Sequence, residues 1–189
     1  AQAALGGPLQ ILVNAAAEPA GYAAPPKLGE ITAGFLQTEL DIKLMGYIRC
    51  SQAVVPGMRA AGWGRIVHVS GLAARQTGNT VGSIRNVAVA ALAKNMADEL
   101  GPAGIQVTVV HPGITRTERT APLLAARAAA QGADPAALQA QLAAGNSIGH
   151  LVDAAEVADV IAFLCSPRSR AINGDAVCVG GGAPRAIHY

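Results

Sequence analysis

Three short apolar segments of the sequence are each followed by a side chain that can hydrogen-bond to a ligand. The segments are residues 9–13 before Asn14, residues 65–69 before Ser70, and residues 105–110 before His111. Apolar runs of this length are typical of buried parallel strands, and parallel sheets bind ligands beyond the carboxyl ends of their strands. An amide, a hydroxyl and an imidazole are therefore expected at one edge of a sheet, where they could orient a bound group.

The polar residues in and after these segments also have structural explanations. Ser70 is equally consistent with an active-site hydroxyl and with a hydroxyl that caps a helix or turn. His68 lies within its apolar segment, so we expect it to pack inside the sheet. His111 precedes Pro112, and this setting favours a structural role over a catalytic one.

Strand-like and helix-like segments alternate along the chain. Helices are predicted from Thr32 to about residue 61, at 83–100 and at 154–165. Pro56 is expected to bend the first of these helices or to end it early. Residues 121–145 are helical in composition but are broken by Gly132 and Pro135. A last strand is predicted at Ala176–Val179. This order predicts one α/β domain over 1–189, a Rossmann-like, doubly wound parallel sheet with helices on both faces.

Composition and charge narrow the classes of function. Apolar residues make up 51% of the 189 residues and charged residues 14%, which excludes a disordered chain. The net charge of +2 gives no basis for binding nucleic acid or an acidic membrane. The three cysteines lack metal-ligand spacing and are expected to be free thiols in the reducing cytoplasm. No apolar run has the length of a membrane span.

Four motifs occur in order and at consistent spacing. They are LVNAAA at 12–17, GRIVHVSG at 64–71, HPGITRT at 111–117, and INGD at 172–175 leading to GGG at 180–182. Together they resemble the classical short-chain dehydrogenase/reductase family, over the C-terminal two-thirds or more of its fold. The resemblance implies an oxidoreductase that uses NAD or NADP on a small carbonyl or alcohol substrate.

The same resemblance implies which residues would contact the cofactor and how the chain would assemble. The cofactor residues implied by the asparagine turn and the Pro-Gly loop are Asn14, Ala15, Ala16, Pro112, Gly113, Thr115 and Thr117. The family pairs its subunits through the helices that correspond to 32–61 and 83–100. A homodimer or homotetramer is therefore expected, with a small-molecule substrate as the other partner.

The family's glycine-rich phosphate loop corresponds to nothing in these 189 residues. Such a loop lets the backbone approach the pyrophosphate at a helix N-terminus. We expect it to lie in about 70 further residues ahead of this segment, from the usual size of an α/β domain. The residues that distinguish NAD from NADP would lie there too. Without them, the strand at 9–13 would be an exposed edge, and the alternative is a true truncation in which a partner strand closes that edge.

The family's catalytic residues are replaced in this chain. In the alignment, its serine falls on Gly71, its tyrosine on Gly82, its lysine on Asn86, and its relay asparagine on Lys43. A cation and an amide have thus exchanged places between two helices. We predict that Lys43, Ser70 and Asn86 form the catalytic group, which requires the Lys43 ammonium to lie near the Asn86 amide.

Each of the cations near this predicted group also has a structural explanation. Lys43 could extend along a helix surface into solvent. Arg85 adjoins Asn86 and could add a second cation to the pocket, but it points about 100° away from Asn86 on a helix, which favours a solvent-facing side chain.

Two classes of function follow from these substitutions. The first is a short-chain oxidoreductase with a non-standard active site, supported by the retained asparagine turn and Pro-Gly loop. The second is a non-catalytic binding or scaffold protein, supported by the four replaced positions. A cofactor-free lyase or dehalogenase is a weaker third, because relatives of that kind still use a tyrosine.

Overall fold

A parallel sheet of four strands forms the centre of the molecule. The computed structural model describes residues 6–17 and 24–184. The strands are β1 (Ile11–Asn14), β2 (Gly64–Val69), β3 (Ile105–Pro112) and β6 (Ala176–Val179), in the order β1-β2-β3-β6. All three strand pairs are parallel, which confirms the predicted arrangement.

Helices cover both faces of this sheet. They are α1 (Ala33–Leu40), α2 (Gly46–Ala61), α3 (Thr80–Leu100), α4 (Thr120–Gln131), α5 (Pro135–Ala143) and α6 (Ala154–Cys165). One core joins α2 and α3 to the sheet through residues such as Met58, Ala93 and Val109, and a second joins α6 through Leu164 and Val110. Val109 and Val110 serve opposite cores because successive side chains of a strand point to opposite faces. The Rossmann-like fold is therefore as predicted.

The first long helix differs in detail from its prediction. Thr32 caps it, accepting a hydrogen bond from the Phe35 N–H. Between α1 and α2 the helix widens into a π-helical segment, Asp41–Met45, and then continues to Ala61, so Pro56 does not end it early. The widened segment puts extra residues into one turn and changes which side chains face inward.

Other element boundaries also differ from those predicted. The side chain of Asn79 caps α3, which begins at Thr80, three residues before the predicted start. A second, two-stranded parallel sheet, β4 (Thr115–Arg116) with β5 (Val152–Asp153), had no signal in the sequence. The short 3-10 helices are Leu28–Glu30, Leu72–Ala74, Gly101–Ala103 and Pro167–Ser169.

Strand β1 forms one edge of the four-stranded sheet. Ile11 and Val13 remain 46% and 41% exposed there. The predicted apolar edge is thus present within the described residues. In residues 6–17 and 24–184, no helix is both long and apolar enough to cross a membrane.

Candidate active site

A cavity of about 440 Å³ lies beyond the carboxyl ends of β2 and β3. Its wall is formed by the loops that follow these strands and by the first turns of α3. Ser70, Gly71, Gly82, Asn86 and Pro112 are among the residues that line it. The cavity therefore occupies the position that the strand ends predicted.

Lys43 lies directly behind this wall. Its ammonium donates hydrogen bonds to the Ser70 carbonyl at 2.8 Å and to Asn86 Oδ1 at 3.0 Å. Lys43 is 3% exposed and does not itself line the cavity. The alternative of a solvent-facing lysine is therefore wrong, and the predicted Lys43–Asn86 contact is present.

Burial controls the charge of this lysine. The pKa of Lys43 is lowered to about 8, mainly by removal from water and then by the nearby positive charge of Arg85, while the Glu39 carboxylate acts in the opposite direction. Burial disfavours the charged form of an amine. Lys43 is therefore protonated at neutral pH, but its charge is lost at a lower pH than that of an ordinary lysine.

Arg85 points inward, contrary to the expectation that it faces solvent. It is 9% exposed, lines the cavity, and forms a close ion pair with Glu39 of α1. The cause is a tertiary contact, because α1 packs against this side of α3 and brings the Glu39 carboxylate to Arg85. Glu39 was missed from the sequence, although it lies one helical turn before Lys43, the spacing that places two residues on one face.

Ser70 joins strand β2 to helix α3. Its hydroxyl donates to the Asn86 carbonyl at 3.0 Å, while its own carbonyl accepts from Lys43. The hydroxyl thus makes a structural contact, although with a residue inside α3 and not as the predicted cap of a helix or turn. Ser70 is also one of the residues that line the cavity.

Two amide side chains take up the space beside the glycines that replace the family's serine and tyrosine. A Cβ built on Gly71 would lie 3.0 Å from Asn86 Nδ2, and one built on Gly82 would lie 2.8 Å from Asn79 Nδ2. Asn79 was not predicted as a site residue, although its place just before α3 is that of a typical cap. Larger side chains at Gly71 or Gly82 would displace these amides.

The histidines belong to the interior rather than to the cavity wall. His68 is fully buried, and burial lowers its pKa to about 4. Its ring stacks on Tyr47, whose hydroxyl donates to the Val69 carbonyl at 2.9 Å. His111 is buried and accepts a hydrogen bond from the Gly71 N–H at 3.4 Å. These contacts agree with the structural roles expected for both histidines.

Tyr47 does not replace the family's missing tyrosine. It is buried and does not line the cavity, and burial raises its pKa well above the usual range, although the charge of Arg85 acts in the opposite direction. Tyr22 and Tyr189 lie outside the described residues.

The residues predicted to hold a cofactor are divided between the cavity and its surroundings. Pro112 and Gly113 line the wall, and the Thr115 hydroxyl donates to the Gly113 carbonyl at 3.1 Å. Thr117 accepts a hydrogen bond from the Arg119 N–H. Asn14 lies away from the wall, with its Nδ2 3.0 Å from His68 Nδ1. The two alanines after Asn14, Ala15 and Ala16, are exposed.

Known proteins are similar to this chain in sequence and in fold. The family model described as enoyl-(acyl carrier protein) reductase matches residues 1–184. A short-chain reductase protein of Streptomyces niveus, NovJ, is 34% identical over 78% of the chain and 55% of its own length. A short-chain type dehydrogenase/reductase of Sinorhizobium fredii, y4mP, is 32% identical over 93% and 66%. The chain thus spans about half to two-thirds of these relatives.

Solved structures give the same result. L-sorbose reductase of Gluconobacter frateurii, complexed with NADPH and L-sorbose, superposes with a TM-score of 0.86 at 26% identity, covering 96% of this chain and 68% of that one. A 3-oxoacyl-[acyl-carrier protein] reductase of Brucella melitensis with bound NAD gives 0.79 at 26% identity, over 97% and 65%. The motifs, the parallel sheet and these matches agree, and the chain belongs to the short-chain dehydrogenase/reductase family.

Proposed function

We propose that this protein is a nicotinamide-dependent oxidoreductase that acts on a small carbonyl or alcohol substrate through a non-standard site. The observation that supports this function is the buried contact of Lys43 with Asn86, directly behind the cavity wall. A buried cation is costly unless its charge is used or compensated. Here the charge lies one amide away from the cavity, where it can act on a bound group.

Asn86 is the group that would meet the substrate oxygen. Its Oδ1 accepts from Lys43, so its Nδ2 is left to donate into the cavity. A fixed donor stabilises negative charge that develops on a carbonyl oxygen, and removing one such donor typically costs about 10²–10³ in rate. The positive charge behind the amide strengthens that donor. Lys43 is thus a positioning residue, and Asn86 is the catalytic one.

The cavity wall also suits the nicotinamide end of a cofactor. Pro112, Gly113 and Ile114 line the cavity, and an aromatic ring with a carboxamide could lie against them. The similar L-sorbose reductase is complexed with NADPH and the 3-oxoacyl-[acyl-carrier protein] reductase has bound NAD, and we propose NAD or NADP for this chain. Such a cofactor would supply hydride to the substrate carbonyl. Asn14 and Thr117 would contribute outside the cavity.

The proton that completes the alcohol would come from water. No tyrosine lines the cavity among residues 6–17 and 24–184. Since the cavity is open to solvent, a water molecule can reach the oxygen that Asn86 holds. General acid catalysis is typically worth about 10²–10⁴ in rate, so we expect slower turnover than in relatives that keep the tyrosine.

Calorimetric titration with NADH and NADPH, followed by turnover on a panel of small aldehydes and ketones, tests this function. The protein should be used as its gene encodes it. Asn86→Ala should reduce turnover by about 10² or more, while Asn95→Ala, an exposed amide on the same helix, should leave it unchanged. Failure to bind either cofactor, or unchanged turnover in Asn86→Ala, would contradict the proposal.

A second candidate function is that of a non-catalytic binding protein, and one observation favours it. The Asn79 amide takes up the space beside Gly82, so the family's tyrosine could not be accommodated without rearrangement. On this alternative, the protein would bind small molecules or an active relative without turnover. Cofactor binding that is never accompanied by oxidation of NADH or NADPH on the carbonyl panel would favour it.

A further inference from the structure

Two amides at the cavity have their carbonyl oxygens engaged by the protein. Asn86 Oδ1 accepts from the Lys43 ammonium at 3.0 Å, and Asn79 Oδ1 accepts from the Gly82 N–H at 2.8 Å. Neither Nδ2 group has a hydrogen-bond partner among the residues that the structure describes. Because these contacts determine which end of each amide is free, both side chains present Nδ2 donors to the cavity.

These free donors lie at the cavity wall. Asn86 is 4% exposed, and its Nδ2 lies 3.0 Å from the Cβ position of Gly71. Asn79 Nδ2 lies 2.8 Å from the Cβ position of Gly82. All four residues line the same cavity. A donor at the cavity wall that has no partner in the protein can bind an acceptor of a ligand, so a ligand that supplies acceptors to both amides would be favoured.

The charges around these donors are mainly positive. Lys43 is 3.0 Å behind Asn86, and Arg85 is on the wall with Glu39 as its partner. Within the described residues, no aspartate or glutamate lines the cavity. Asn79 also caps the N-terminus of α3, where the helix dipole favours negative charge. The site therefore favours a ligand that presents acceptors to the two amides and carries a negative charge.

We propose that the substrate is an oxo acid, a carbonyl compound that also carries a carboxylate. The carbonyl oxygen accepts from Asn86, and the carboxylate lies at the first turn of α3, where it accepts from Asn79. This inference rests on the proposed function, since it specifies the substrate class of the same cavity. It differs in being a statement about binding, which can be measured without turnover.

Equilibrium binding of matched acids and esters tests this class. Isothermal calorimetry at neutral pH would compare 2-oxobutanoate and 4-oxopentanoate with their methyl esters, with and without NADPH. We expect at least one acid to bind roughly tenfold or more tightly than its ester. In nitrogen-15 spectra, the side-chain amide signals of Asn79 and Asn86 should shift with that acid.

Isosteric variants test the two donors separately. Asn86→Asp keeps an acceptor for Lys43, and Asn79→Asp keeps the cap on α3, so both should fold while losing a donor and gaining a negative charge. Each should weaken acid binding by roughly tenfold or more. Asn95→Asp, which adds the same charge at an exposed position of α3, should not.

The possible outcomes separate this inference from the proposed function. Equal affinity for acids and esters, or unchanged acid binding in both cavity variants, would overturn the oxo acid even if neutral ketones are reduced. Tight acid binding that is lost in both variants would support it even if neither NADH nor NADPH is ever oxidised. In the latter case the proposed oxidoreduction alone would fail.

Discussion

Lys43 and Asn86 show how a charge can be retained while the helix that supplies it changes. In the family's pattern the lysine comes from the position of Asn86, whereas here the ammonium comes from the π-helical segment before α2 and reaches Asn86 Oδ1. In a site with lowered dielectric, such a charge acts strongly on a nearby oxyanion. The hydrogen bond from Lys43 also orients the Asn86 amide, because it fixes the position of Oδ1.

The charge of Lys43 makes ligand affinity and stability respond to pH in opposite directions. The pKa of Lys43 is about 8 in the folded chain and 10.5 in an ordinary lysine. Between pH 8 and 10.5, Lys43 is protonated to a greater extent in the unfolded chain than in the folded one. Its contribution to the free energy of unfolding should therefore increase as the pH rises. Affinity for an anionic ligand should fall as the pH passes about 8, because the ammonium is neutralised.

Urea denaturation and calorimetric titration across this pH range would measure both effects. Lys43→Met has no titrating group at this position, so the contribution of Lys43 to both pH dependences should be absent from it. It should also be less stable, because burying the Ser70 carbonyl and Asn86 Oδ1 without a donor costs about 1–3 kcal/mol for each group. The same pH dependences in Lys43→Met and in the unmodified protein would contradict the assignment.

Restoring two of the family's catalytic residues should not restore a good reductase. Gly82→Tyr would bring a Cβ to 2.8 Å from the Asn79 amide, and Asn86→Lys would place a second cation beside Lys43. Like charges in one buried site disfavour each other. We expect the double variant to be less stable than the original protein and to show little turnover with NADPH.

A variant that also removes the original charge distinguishes these two causes. Adding Lys43→Asn to the double variant should raise its melting temperature, because the repulsion is relieved. Adding Asn79→Ser should relieve the steric conflict while keeping a cap for α3. A double variant as stable as the original protein would show that neither conflict matters.

At the scale of elements, the π-helical segment Asp41–Met45 determines which residues of the first long helix face the site. Lys43 lies within it and points toward Asn86, and Tyr47 follows one turn later with its hydroxyl on the Val69 carbonyl. Single π-helical turns often occur at functional sites. Here the π-helical turn places Lys43 on the inner side of the helix, and the preceding helix α1 supplies Glu39 to Arg85.

The cap of α3 links the stability of this helix to the cavity. Asn79→Ala should lower the free energy of unfolding by about 1 kcal/mol, because the Gly82 N–H loses its acceptor. Asn79→Asp should retain most of that stability, since its carboxylate can accept the same bond and suits a helix N-terminus. Urea denaturation of the two variants measures the difference, and equal destabilisation by both would contradict this role.

At the scale of the whole molecule, the outer surfaces of α2 and α3 carry apolar side chains that the single chain does not bury. Val87 of α3 is 49% exposed, and a shallow, mostly apolar cavity of about 370 Å³ between the helices is lined by residues that include Ile48, Val55, Leu92 and Met96. Exposed apolar patches of this kind often mark protein–protein interfaces. We propose that this surface joins two copies in a dimer.

Sedimentation velocity at micromolar concentration would test the dimer. Leu92→Glu should produce monomers, because a carboxylate would be buried at the interface without a partner. Leu28→Glu, which adds the same charge at an 83% exposed leucine outside this surface, should not change the mass. A monomer before any substitution would refute this assembly.

The sequence alone determined the order of the strands and helices, the parallel sheet and the location of the cavity. Apolar runs that end at Asn14, Ser70 and His111 are local signals, and buried parallel strands require them wherever the rest of the chain lies. The Lys43–Asn86 contact was also predictable, because the family's pattern relates the two positions. The ends of the helices were harder to predict from the sequence. Helix α3, for example, begins directly after its cap, Asn79, and so before residue 83, where the sequence pattern placed its start.

Only the tertiary structure decided the direction of Arg85, the role of Asn79 and the pairing of β4 with β5. Arg85 turns inward because α1 brings Glu39 to it, and the path of α1 depends on the π-helical segment, which has no signal in the sequence. The free end of the Asn79 amide is known only once its oxygen is seen to accept from Gly82. These features depend on contacts between segments distant along the chain, whereas sequence patterns report mainly the local conformation and burial of each segment.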